Sequence, residues 1–154
     1  MEVIDNIYQH RDAHEFALGV YLDLQKAFDA VNHEVLLYKL NNFGIRGVVR
    51  KWFNNYLSGR KQFASIAGVY SEIKTISTRV PQGSILGPLL FLLYVNDISN
   101  AVPGAKVKHL ADDTNLFLHG TNLAELCCKA NTSLEQLHKW FTANKLSLSI
   151  GKTY

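Results

Sequence analysis

Apolar residues recur along this chain at two periods, and the places where the period changes mark out its elements. Val20–Leu24 is a short run rich in branched and aromatic side chains, which predicts a buried strand. From about His33 to Phe43, Leu36, Leu40 and Phe43 fall at helical spacing, and Gly44 stands where a helix stops. A second helix is predicted over Val48–Leu57, with Val49, Trp52, Phe53 and Tyr56 on one face and Ser58-Gly59 closing it. Gln62–Ala67 and Glu72–Thr78 predict a hairpin around Gly68.

Further on, Ser84 is placed to cap the apolar helix that follows it. Lys106–Ala111 and Thr114–His119 are strand-like runs meeting at Asp112-Asp113, a second hairpin. Leu123, Cys127, Ala130, Leu134, Leu137 and Phe141 predict the core face of a long helix from about Asn122 to Asn144. Leu146, Leu148 and Ile150 then alternate as in a strand that delivers Lys152. No repeat or linker interrupts the pattern, so residues 1–154 are expected to form a single domain. Hairpins mixed with helices make the class α+β, an antiparallel sheet packed on helices.

Composition adds limits. At 154 residues, 47% hydrophobic and 19% charged, the chain can bury one core and is not disordered in character. The net charge of +3 permits a phosphate-rich partner without demanding one. Cys127 and Cys128 are adjacent and rarely bridge, which fits a reducing compartment. No basic stretch followed by an apolar one opens the chain, and the longest apolar run, Ile85–Val95, falls short of the ~20 residues a bilayer needs. The expectation is an intracellular protein, nuclear or cytoplasmic, neither secreted nor membrane-spanning. Nothing in the sequence sets an oligomeric state.

Two places carry charge where burial makes charge expensive. Asp23 lies inside Val20–Leu24, and a carboxylate there needs a partner, a cation or a cluster of donors. Nearby Lys26 offers an ordinary ion pair. Asp112-Asp113 lies between apolar strands, where adjacent aspartates also suit a plain hairpin turn. If strand and hairpin tip meet at one sheet edge, three like charges converge, and a divalent cation would neutralise them. Hard cations such as Mg²⁺ take oxygen ligands and leave positions open for phosphate. Two ions about 3.5–4 Å apart stabilise the attacking and leaving oxygens of an in-line phosphoryl displacement.

Four strings then fall in order: Y-L-D-L-Q-K-A-F-D (Tyr21–Asp29), V-P-Q-G-S-I-L-G-P-L-L-F (Val80–Phe91), L-A-D-D-T (Leu110–Thr114) and L-S-L-S-I-G-K-T (Leu146–Thr153). They resemble the successive palm motifs of reverse transcriptases. The second string, followed by Val95-Asn96-Asp97-Ile98, resembles the non-LTR, LINE-like retrotransposon branch in particular. The resemblance covers nearly the whole chain.

It implies a polymerase palm and an RNA-directed DNA polymerase, a nucleotidyltransferase that adds a dNTP to the 3′-hydroxyl of a DNA primer on an RNA template. Two Mg²⁺ ions would serve it, with Mn²⁺ able to substitute. By the resemblance Asp23 and Asp112 would hold the ions, Asp113 would complete the cluster, and the Leu24 carbonyl would add an oxygen ligand. Phe28 matches the aromatic gate whose ring excludes a 2′-hydroxyl, Gln82 the glutamine that contacts the incoming nucleotide, and Gly83 the glycine that lets backbone approach it. Lys152 matches a lysine near the triphosphate that assists pyrophosphate departure. On residues alone Phe28 is a core aromatic, Pro81–Ser84 a turn capping a helix, and Lys152 a solvated charge.

Arg46, Arg50, Lys51, Arg60 and Lys61, interleaved with Trp52 and Tyr56, read in two ways. They contact template or primer phosphates, or they are the solvated side of a helix whose aromatics face the core. His10 and His14 share a helix face but lack further ligands, and are read as structural or exposed.

Three positions depart from the family pattern. Leu110 stands where Tyr or Phe is usual, Arg79 where Gly is usual, and Ser149 where Asn is usual. An Arg at a position needing positive φ is strained. Fingers and thumb have no counterpart in these residues, and orientation supplies about 7–11 kcal/mol of catalysis. The chain alone is therefore expected to have weak or no polymerase activity. The alternative is a catalytically inactive retrotransposon remnant or a nucleic-acid-binding module.

Overall fold

The computed structural model describes residues 15–80, 83–110, 113–149 and 151. Among them the chain begins with β1 (Phe16–Asp23), followed by α1 (Ala27–Ala30), α2 (His33–Asn42) and α3 (Gly47–Leu57). Four two-residue strands come next, β2 (Lys61–Gln62), β3 (Ser65–Ile66), β4 (Val69–Tyr70) and β5 (Lys74–Thr75). Helix α4 (Leu86–Val95) and a 3-10 turn at Ile98–Ala101 lead to β6 (Lys106–Leu110), β7 (Asp113–Gly120) and α5 (Leu123–Ala143). The class is α+β, as the sequence pattern predicts. The chain divides into two compact units, one holding β1, the 3-10 turn, β6, β7 and α5, the other Lys26–Val95.

In the first unit the strands form an antiparallel sheet in the order β1-β7-β6. Side chains alternate across it. Leu22, Leu116 and Leu118 are buried on the face that α5 covers, and Leu126, Ala130, Ser133, Leu137 and Phe141 are the buried residues of α5. Each fully buried leucine contributes roughly 1.5–3 kcal/mol. Asn122 caps α5, its Oδ1 accepting from the amides of Ala124 (2.9 Å) and Glu125 (3.4 Å). The core face differs from the sequence expectation at its start. Leu126 packs inward, whereas Leu123 and Cys127 are exposed. Leu126, Ala130, Ser133, Leu137 and Phe141 form one continuous stripe; Cys127, one residue off Leu126, lies about 100° round the helix from it. Both cysteines are free thiols.

The expected closing strand is described only as far as Ser149, and at Gly151. Leu148 makes a single antiparallel bridge to Leu24, and Ile150 lies outside the described residues.

In the second unit α2 packs against α3 and α4, and α1 against α4. Asn32 Oδ1 accepts from the Val35 amide (3.1 Å) at the start of α2, and Gly44, at φ 86°, turns the chain out of its end. Leu36, Leu40, Leu57, Leu90, Phe91 and Tyr94 are its fully buried large side chains. Lys39 is buried beside them, its Nζ donating to the Tyr94 carbonyl at 2.7 Å near the end of α4. Pro88 falls in the first turn of α4, where no amide donor is needed, and Ser84 Oγ accepts from the Gly87 amide at 3.0 Å. The expected hairpin is present as two nested pairs, β2 with β5 and β3 with β4, turning at Ala67 and Gly68, both at positive φ. Among the described residues no helix is long and apolar enough to cross a membrane.

Candidate catalytic carboxylate site

Asp23 is the last residue of β1 and Asp113 the first of β7, and the two are register partners. The register is held by apolar residues. A slip of one position would turn Leu22 and Leu116 out to solvent and Asp23 into the core. Asp23 therefore lies on the open face, the one opposite α5.

The Asp23 carbonyl accepts from the Ser149 amide at 2.8 Å, on the side of β1 away from β7. Asp23 and Asp113 are thus a non-hydrogen-bonded pair, the kind with Cα atoms only about 4.5 Å apart and side chains close. The Gln25 amide donates to the Ser147 carbonyl at 2.8 Å, which makes the Leu24–Leu148 bridge the same kind. The carbonyl of Leu24 accordingly points away from Leu148, toward the β7 side. Two carboxylates and one backbone oxygen are hard donors of the kind Mg²⁺ takes.

Asp112, Gln82 and Lys152 lie outside the described residues. Among the described residues no three His, Cys, Asp or Glu side chains group closely enough to hold a metal; Asp23 and Asp113 supply two of the expected three.

The open face continues away from the carboxylates through Tyr21 and Phe117, whose rings meet edge to face at 6.2 Å. Gly19 lies beneath both rings, and a Cβ there would make ordinary contact with them, at 3.4 Å from Phe117 and 3.6 Å from Tyr21. Lys106 and Lys108, opposite Phe117 and Asn115, bring cations to the same face. They help line an open groove of about 1160 Å³ that takes in Tyr21, Phe117 and His119 and extends round the sheet to Lys129, Thr132 and Gln136 of α5. The sequence reading took β6 as a strand but missed these lysines; their alternation with Val107 and His109 is the signal that finds them.

On the opposite face, burial lowers the pKa of His109 from its ordinary value of 6.5. Its Nδ1 shares a hydrogen bond with Thr114 Oγ1 at 3.2 Å, and its Nε2 has no partner among the described residues.

In the second unit Phe28 is half-buried, its ring 4.8 Å from that of Phe91. Gly83 adopts φ 78° with open space where a Cβ would stand. That left-handed conformation favours glycine there.

The sequence matches the family described as reverse transcriptase (RNA-dependent DNA polymerase) over residues 3–154. The chain belongs to that family. Among the relatives of this reverse transcriptase chain is the RNA-directed DNA polymerase from mobile element jockey of Drosophila funebris, 31% identical over 145 residues. The match covers 90% of this chain and 16% of that protein. The Drosophila melanogaster protein of the same description is 32% identical, over 82% of this chain and 14% of its own length. The chain thus spans about a sixth or less of these relatives. A solved structure, apo telomerase from Candida Tropicalis truncated from its C-terminal domain, shares the fold with a TM-score of 0.69 at 15% identity. It covers 99% of this chain, and 34% of that one is matched.

The departures from the family pattern have visible consequences in this reverse transcriptase chain. Arg79 sits at φ 83°, so the strain expected of a non-glycine residue is present. Its Nε donates to Asp29 Oδ1 at 2.8 Å and its Nη1 to Gln62 Oε1 at 3.0 Å. Its amide donates to the Val31 carbonyl (2.8 Å), and its carbonyl accepts from His33 Nε2 (2.8 Å). Ser149 takes part through its backbone, which the loss of an Asn side chain does not touch. Leu110 is the residue paired with Asp113 across the hairpin.

Proposed function

We propose that this chain is the palm of an RNA-directed DNA polymerase of the non-LTR retrotransposon kind, one domain that adds dNTPs to a DNA primer on an RNA template inside the cell. The observation that carries the reading is the in-register, closely spaced pairing of Asp23 with Asp113 on the open face of the sheet. Like charges directly opposite one another destabilise a sheet, and a divalent cation held between them would offset that cost. Asp23, Asp113, Asp112 and the Leu24 carbonyl would hold two Mg²⁺ ions, for which Mn²⁺ can substitute. When bound, such ions supply an activated primer 3′-hydroxyl and a stabilised departing pyrophosphate.

The remaining roles belong to the chain itself. Phe28 bars a 2′-hydroxyl from the nucleotide site, Gln82 and Gly83 contact the nucleotide, and Lys152 accompanies the triphosphate. Lys106 and Lys108 neutralise phosphates of a strand lying along the open face.

A second reading, a catalytically inactive remnant or nucleic-acid-binding module, draws support from the strained Arg79. Primer extension with an RNA template, Mg²⁺ and dNTPs separates the two. Incorporation above background that disappears in Asp112→Asn supports the enzyme; no incorporation even at high protein concentration, together with unimpaired RNA binding, favours the module.

A further inference from the structure

Acidic and basic residues are segregated along this chain. No Asp or Glu occurs between Glu34 and Glu72, while Arg46, Arg50, Lys51, Arg60 and Lys61 all fall there, in a molecule whose net charge is only +3. All five of these cations are exposed.

The aromatics among them are not turned inward. On α3 only Leu57 is buried; Phe53 and Tyr56 are half-buried. Val48 is 82% and Trp52 50% exposed. Val48, Trp52 and Tyr56 recur every four residues and so form one stripe along the helix. Phe53 and Leu57 form the neighbouring stripe, the less exposed one. The Trp52 and Tyr56 rings lie nearly parallel, 9° apart with centroids at 5.4 Å. The Arg60 guanidinium stands over the Tyr56 ring at 5.8 Å. Beyond it the hairpin exposes a second ring pair, Phe63 and Tyr70, at 5.6 Å.

Flat rings at the surface with cations beside them, in a stretch of sequence that holds no acid from Val35 to Ser71, suit one kind of partner. A folded protein surface would cover the apolar stripe but would leave this density of positive charge unmatched. Duplex nucleic acid would match the charge but offers the rings no free base faces. Unpaired nucleotides answer both, because bases stack on aromatic side chains while phosphates meet the cations.

We propose that the exposed stripe of α3, with Arg60 and Lys61 at its end, is a binding platform for single-stranded nucleic acid, with Trp52, backed by Tyr56, stacking a base and Arg50, Lys51, Arg60 and Lys61 meeting phosphates. The platform shares no residue with the carboxylate pair and does not depend on metal.

The test uses the 154-residue chain carrying Trp140→Phe, so that Trp52 is the one remaining tryptophan. Oligo(U) RNA and oligo(dT) are titrated against its fluorescence in EDTA, at several salt concentrations. Binding is expected to quench Trp52 for both oligomers and to fall with salt. Lys51→Ala should reduce the salt slope by about 0.7. Trp52→Ala, followed by anisotropy of a labelled oligomer, should weaken binding roughly tenfold, as for the loss of one stacked base. Tyr56→Ala gives a second reading should Trp52→Ala misfold. Because every titration is run in EDTA, a failed catalytic reading leaves this result standing.

Unaltered affinity in both ring variants overturns the proposal, as does affinity that responds only to Lys106→Ala and Lys108→Ala. Equal or tighter binding of a duplex of the same length overturns the single-strand preference. Self-association abolished by Trp52→Ala, without oligomer binding, assigns the stripe to a second copy instead.

Discussion

Asp23 and Asp113 face one another across β1 and β7 as a closely spaced pair, the end of one strand against the start of the next. Leu22 and Thr114, both buried, fix the ladder immediately behind them. The backbone positions of both aspartates are therefore set by a packed core. Function and stability pull in opposite directions at this pair. Asp113→Asn removes one of the opposed charges and should raise the stability of the metal-free chain by about 0.2–1 kcal/mol. Urea denaturation in EDTA measures it, and a less stable variant would speak against the close approach.

Arg79 offers a measurement of backbone strain. Both Arg79→Ala and Arg79→Gly lose the bonds to Asp29 and Gln62, but only glycine is at ease at φ 83°. The glycine variant should be the more stable of the two by about 1–2 kcal/mol. The alanine variant should fall below wild type by roughly 1–3 kcal/mol, the range for losing hydrogen bonds made by a charged group. Equal stability of the two variants would mean that the left-handed conformation is absent in solution.

The sheet should respond to acid through His109. Burial lowers its pKa from 6.5, and Nε2 has no partner among the described residues, so a second proton on the ring finds no acceptor there. The unfolded chain takes up that proton first. Stability is full above about pH 6.5 and falls as pH drops toward the lowered folded-state pKa, below which this contribution levels off. His109→Leu should flatten the dependence between pH 7 and 5.5. A wild-type chain whose denaturation midpoint is constant across that interval would contradict the burial of the ring.

Much of this architecture is legible in the sequence because local chemistry and tertiary packing agree. Helix α2 starts at an Asn that caps it and stops at a Gly at positive φ, and each signal is complete within a few residues. The β6–β7 hairpin and α5 are likewise announced by period alone. Elsewhere the deciding contact is distant. The face of α5 is chosen by the sheet it covers, and so Leu126 wins over Leu123 and Cys127. The stripe of α3 looks like core by composition, yet only Leu57 is buried. Of the candidate site, the meeting of Asp23 with the Asp113 hairpin was conditional on a register no single segment contains; the apolar residues of both strands had to be paired to fix it. Lys106 and Lys108 escaped notice for the same reason, since their side of the sheet becomes meaningful only once Asp113 is placed on it.

The central claim is that Asp23, Asp112 and Asp113 together hold divalent cations. Titration of Mn²⁺ into the 154-residue chain with dGTP present, followed by loss of the free-ion paramagnetic resonance signal, tests it directly. Saturable binding is expected, displaced by Mg²⁺ and weakened at least tenfold, about 1.4 kcal/mol, in Asp23→Asn and in Asp112→Asn. Binding of equal strength in wild type and both variants, or none at any concentration short of aggregation, would contradict it.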